Sequence, residues 1–180
     1  MEQTKIEIES SKKFLDPPLD ARTLENAIYV DDADHALVES IVKVSGKYNR
    51  EYKIVAFCVW LNDERVIVED DLLIICLWSH VLVIDLKADK LVRNIHFDGY
   101  EMFHIFKFKS GYFIHGEGEN RFLNKNFDLV WENSCADIFV NPYVEKVLEI
   151  FDDYVTVLDW DGYKHFYNET GEIRVILPAK

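Results

Sequence analysis

Asp70-Asp71-Leu72-Leu73-Ile74-Ile75-Cys76-Leu77-Trp78 is echoed later in the chain by Asp152-Asp153-Tyr154-Val155-Thr156-Val157-Leu158-Asp159-Trp160. Each stretch opens on two carboxylates, runs through apolar and β-branched residues, and ends on tryptophan. The tryptophans lie 82 residues apart, twice 41, and a third copy sits between them: Ser110-Gly111 followed by Tyr112–Gly118, with Gly118 where the others carry tryptophan. Short strand-like runs recurring at a period near 40 residues predict an array of similar β units, each burying its apolar face on the next.

Strand signals continue on both sides of these copies. Leu72–Trp78, Val81–Leu86 and Leu91–Phe97 read as a three-strand meander broken by polar turns. Phe103–Phe108, Tyr112–Gly116, Arg121–Asn124 and Asp128–Trp131 follow, then Val147–Ile150, Tyr154–Asp159, Tyr163–Asn168 and Glu172–Leu177. Asp161-Gly162 is a strong hairpin signal, because a glycine readily takes the positive φ such turns require. Leu86, Asn124 and Asn168 fall at one repeat position, each followed five residues later by Leu91, Leu129 or Ile173. Upstream, Ala27–Asp31, Leu37–Val44, Tyr52–Trp60 and Arg65–Glu69 are also strand-like. Residues 1–26 read as an N-terminal arm, with an edge strand at Lys5–Glu9 and a short helical turn over Ala21–Glu25 capped by Asp20. Residues 27–180 read as one all-β repeat domain.

Tyr163-Lys164-His165-Phe166-Tyr167-Asn168-Glu169-Thr170-Gly171-Glu172 resembles the strand–turn–strand of quinoprotein-type and WD-type β-propeller repeats. The resemblance covers residues 64–177. It implies an all-β, propeller-like array of four-stranded antiparallel meanders, with a two-sheet β-meander sandwich as the alternative. The Gly-His and Trp-Asp dipeptides of WD repeats and the full tryptophan docking motif of quinoproteins are missing from their places, so no cofactor follows from it.

Composition narrows the function. The chain has 180 residues, 49% of them hydrophobic and 14% aromatic, enough to bury a core and too apolar for disorder. Its formal net charge is -13. Clustered carboxylates repel phosphate backbones, which argues against nucleic acid and permits a basic protein partner; a plainer role is to keep a β-rich surface soluble. Cys58, Cys76 and Cys135 form no C-x-x-C pair and read as free thiols in a reducing compartment. No secretory leader or membrane-spanning run is evident, so a cytoplasmic protein with no membrane association is expected.

The most unusual chemistry is in His115-Gly116-Glu117-Gly118-Glu119-Asn120-Arg121. If the stretch were one extended strand, His115, Glu117 and Glu119 would project from one face, suited to a ligand or to acid–base work. The glycines leave either a hollow where a neighbouring copy has tryptophan, or a wide solvated hairpin. Asn120 and Arg121 complete this candidate ligand or partner site, with Trp78 and Trp160 as stacking platforms or, more plainly, as packing between repeats. Asp70-Asp71 and Asp152-Asp153 read as corner turns rather than proton-sharing dyads, since strand neighbours face opposite ways. No metal-ligand spacing, phosphate loop or nucleophile motif is present, so neither metal nor catalytic residues are expected. The sequence therefore points to a non-enzymatic protein-interaction module, in its specific form an acidic inhibitor or immunity-type protein. A carbohydrate or small-ligand binder or hydrolase, and a subunit of a larger β assembly, are the alternatives.

Overall fold

The computed structural model describes residues 4–15, 27–30, 37–57, 61–99, 101–134, 138–139 and 146–177. Among the described residues, sixteen strands fall into four four-stranded sheets. The chain is all-β and propeller-like in its units, as the repeat implies. It divides into two compact parts, Met1–Phe97 and Asp98–Lys180.

In the first part, β1 (Lys5–Leu15), β2 (Ala27–Val30), β3 (Leu37–Ser45) and β4 (Arg50–Phe57) form a sheet in the order β1-β3-β4-β2. This sheet departs from the expected antiparallel meander: β1 comes from the N-terminal segment to pair with β3, and β2 runs parallel to β4. The helical turn expected over Ala21–Glu25 lies outside the described residues. β5 (Val66–Glu69), β6 (Leu72–Leu77), β7 (His80–Asp85) and β8 (Lys90–His96) form the second sheet, a regular meander. Its inner strands are apolar along nearly their whole length because both faces are buried. Val42, Val44, Ile54 and Ala56 of the first sheet join Leu73, Ile75, Leu82 and Ile84 of the second in one core. Trp78 packs partly buried against that core. The free Cys76 is buried, whereas Cys58 and Cys135 lie outside the described residues.

The second part repeats the meander twice. β9 (Met102–Phe108), β10 (Gly111–Gly116), β11 (Glu119–Asn124) and β12 (Leu129–Ser134) make the third sheet. β13 (Leu148–Ile150), β14 (Val155–Leu158), β15 (Lys164–Asn168) and β16 (Gly171–Ile176) make the fourth. Phe108, Phe113 and Phe122 of the third sheet meet Val155, Val157 and Tyr167 of the fourth. Trp131 seals this seam: it stacks on Tyr167 at 5.5 Å between centroids and on Phe122 at 6.1 Å, and its indole N–H donates to Glu169 O at 3.1 Å. It is a packing residue; Trp60 lies outside the described residues.

Two devices recur in the second, third and fourth sheets. Asp85, Asn124 and Asn168 each end an inner strand and turn the chain by accepting from backbone N–H groups ahead, at 2.8 Å for Lys87, Asn126 and Thr170. One step inward, the outer strand carries a bulge, at Val83/Ile84, Phe122/Leu123 and Phe166/Tyr167. The extra residues are Val92, Val130 and Ile173, all exposed. A bulge bends and twists an outer strand, which discourages pairing along its open edge.

Candidate functional site

Strand pairing resets the repeat by one residue. Glu69 pairs with Leu72 around the turn Asp70-Asp71, and Phe108 pairs with Gly111 around Lys109-Ser110. The first residue of each turn has nearly the same left-handed backbone, φ 54° at Asp70 and 51° at Lys109. Lys109-Ser110, not Ser110-Gly111, is therefore the counterpart of Asp70-Asp71. At the far end of the hairpin, Leu77 pairs with His80 around Trp78-Ser79, and the same step on β10–β11 places Glu117-Gly118 in the turn. Glu117, not Gly118, stands where Trp78 and Trp160 stand.

That shift changes the geometry of the candidate residues. His115 is in β10, Glu117 is in the turn and Glu119 opens β11, so they do not share one strand face. The turn is tight, and both Gly116 and Gly118 are buried, unlike the wide solvated hairpin that the glycines allowed. Gly116 is required by backbone approach: a Cβ there would come within 2.7 Å of Glu101 O and 3.0 Å of Glu119 O.

His115 pairs across the hairpin with Asn120, and both are buried. The His115 Nδ1–H donates to Asn120 Oδ1 at 2.9 Å. Rings of His104, Phe103 and Phe139 surround the imidazole at centroid distances of 5.5, 6.0 and 6.2 Å. Burial among them pushes its pKa down to about 4, against the opposing effect of the Asn120 hydrogen bond. At neutral pH it is an uncharged packing group.

Arg121 is fully buried. Its Nε donates to Glu132 Oε2 at 2.5 Å and its Nη2 to Asp98 O at 3.0 Å, and it forms an ion pair with Glu119. Glu119 also accepts from Ser134 Oγ at 3.4 Å. The charges of Glu119 and Arg121 thus close on each other inside the third sheet.

Glu117 and Trp160 are organised differently. Glu117 N donates to Glu101 O at 2.7 Å, Phe139 N donates to Glu117 O at 2.5 Å, and Trp160 N donates to Ile138 O at 2.9 Å. These bonds lace the hairpin end of the third sheet to that of the fourth, with Ile138-Phe139 between them. Trp160 is 42% exposed. Its loop is closed by Gly162 N on Asp159 O at 3.1 Å, with Gly162 at φ 84°, the positive φ anticipated for the Asp161-Gly162 hairpin.

The sequence reading missed two contributors. Ile138-Phe139 carries no strand alternation or turn motif, yet it is the splice between the hairpins. His165 is the other: Nε2 lies 3.0 Å from Asp159 Oδ2 and Nδ1 lies 2.6 Å from Glu172 Oε1, while Asp159 Oδ1 accepts from Tyr163 N at 2.8 Å. The period-two placement of His165 and Tyr167 on β15 was the available signal; the facing of Glu172 depends on the bulge at Ile173 and was not readable. Among the described residues no set of three or more His, Cys, Asp or Glu side chains is arranged to hold a metal ion.

No family model and no curated protein matches the chain. Two solved β-propeller structures are similar to it: the AfRom2 CNH domain, at 12% identity and TM-score 0.46, covering 84% of this chain and 53% of that one, and BamB from Moraxella catarrhalis, at 14% identity and TM-score 0.49, covering 84% and 50%. The chain spans about half the length of each.

Proposed function

We propose that this chain is a non-enzymatic protein-interaction module that receives a basic partner, in the manner of an acidic inhibitor or immunity-type protein. One observation carries the reading. The side chains with the most chemical potential, His115, Asn120, Glu119 and Arg121, are engaged in holding the third sheet together, while a net charge of -13 remains to be expressed at the surface. A hydrolase would need two carboxylates facing a space wide enough for a sugar ring. Glu119 instead faces Arg121, and His115 is 2% exposed. A surface of one dominant sign speeds encounter with an oppositely charged protein and makes the association salt-sensitive. Affinity capture from native lysate at low ionic strength, repeated at high ionic strength, tests this. The expected result is one predominant basic chain that is released by salt; no retained chain, or one that is acidic and salt-insensitive, would count against it.

A second reading has its own observation. β16 is the outer strand of the fourth sheet, and Ile173, Val175 and Ile176, with Leu177 beyond it, are exposed. Beyond the bulge at Ile173, the exposed Val175, Ile176 and Leu177 form an apolar stretch that suits a subunit completing a larger β assembly. Light scattering separates this from the first reading: a monomer at every concentration disfavours it. Among the described residues, no helix is long and apolar enough to cross a membrane.

A further inference from the structure

We propose that the docking surface is the laced hairpin end of the second part, with Trp160 as its anchor, and that the polypeptide segment it receives presents arginine. This rests on the basic-partner reading above and names the surface and the chemistry of that partner. Trp160 is the one described tryptophan that is exposed; Trp78 and Trp131 are partly buried against cores. Its backbone is fixed by the bond to Ile138 and by the closed Asp159–Tyr163 loop. An exposed indole on a fixed backbone loses little conformational freedom when a partner covers it, which is what a binding anchor requires.

Its surroundings select the ligand. Asp161 follows it in the loop and is exposed. Glu117 holds the equivalent position on the neighbouring hairpin, with Glu101 bonded beyond it through the backbone. The Ile138-Phe139 peptide bridges the Glu117 and Trp160 turns with one backbone bond to each, which spaces them by about 10 Å, two strand spacings. Arg121, the nearby arginine of the third sheet, is already held by Glu119 and Glu132. A guanidinium fits both elements of this surface: its plane stacks on an indole face, and its paired N–H groups match a carboxylate. A lysine ammonium satisfies the carboxylates but lacks the planar stacking surface.

The test is a two-dimensional NMR titration of the full chain at low ionic strength with octa-arginine and, separately, octalysine peptides. The expected result is saturable movement of the Trp160 indole N–H and of the Glu117, Phe139 and Asp161 amides, with the Trp78 indole unmoved. Octa-arginine should bind about three- to fivefold more tightly than octalysine, and Trp160→Ala should remove that preference. Should Trp160→Ala fail to fold, Glu117→Gln is the second variant, expected to weaken both peptides. Shifts spread over the acidic surface with no focus at Trp160, or an arginine preference that survives Trp160→Ala, would overturn the proposed surface and leave the basic-partner reading standing. Failure of both peptides to bind would overturn the basic-partner reading itself.

Discussion

His115 shows what burial does to a side chain that looks chemically promising in the sequence. With its folded pKa lowered to about 4 from the ordinary 6.5, the unfolded chain binds more protons than the folded chain between those values. Its contribution is therefore fully present above pH 6.5 and is lost as the pH falls toward 4, a change on the order of 3 kcal/mol. Denaturant midpoints measured at pH 7 and below pH 5 should converge more closely in His115→Gln than in the parent chain. Equal acid sensitivity in the two would place the titrating group elsewhere. Arg121 makes the opposite case, a buried guanidinium met by the carboxylates of Glu119 and Glu132. Arg121→Met leaves Glu119 and Glu132 without their shared cation, and a loss of about 3–5 kcal/mol in unfolding free energy is expected. Residue identities were legible here, but their roles were not. An alternating reading put His115 and Glu119 on one strand, whereas a two-residue turn separates them.

At the scale of the strand and its turn, the repeat was legible because alternation, turn residues and tryptophans reinforced one another. The register was not. Ser110-Gly111 matches Asp70-Asp71 as a small polar pair, and nothing in the letters shows that Lys109 takes the left-handed backbone. The position of Leu72 recurs at Gly111, 39 residues on, and at Tyr154 after a further 43, whereas matching Asp70 to Ser110 spaces the first two copies by 40, a one-residue slip. Such a slip exchanges the two faces of a strand. The interval from Leu86, Asn124 and Asn168 was similarly blurred: pairing makes Asp85 the true counterpart of the two asparagines, and the outer-strand bulge lies within that interval. The asparagine turns give a direct check on the corrected alignment. Asn124→Ala and Asn168→Ala each remove a side-chain acceptor from equivalent turns, and each should cost about 1 kcal/mol by chemical denaturation. Clearly unequal losses would mean that the turns are not equivalent. The first sheet was the least legible element. Recruitment of β1 to β3 and parallel pairing of β2 with β4 are long-range choices that no local pattern announces.

At the scale of the whole molecule, a net charge of -13 is expressed partly in clamps between turns. Lys47 and Tyr48 reach Asp71 in the first part, while Lys109 reaches Asp153 at 2.5 Å and Ser110 reaches Glu169 in the second. Exposed pairs of this kind contribute little stability and weaken with salt. The sequence-selected residues fall into an internal set, His115, Asn120, Glu119 and Arg121, and a surface set, Glu117 and Trp160, with Trp78 packed against the first core. Calorimetric titration of octa-arginine into His115→Gln and into a Trp160→Ala, Glu117→Gln double variant tests that division most directly. The account predicts parental affinity in His115→Gln and a loss of about tenfold in the double variant. Parental affinity in the double variant, or a loss confined to His115→Gln, would contradict it.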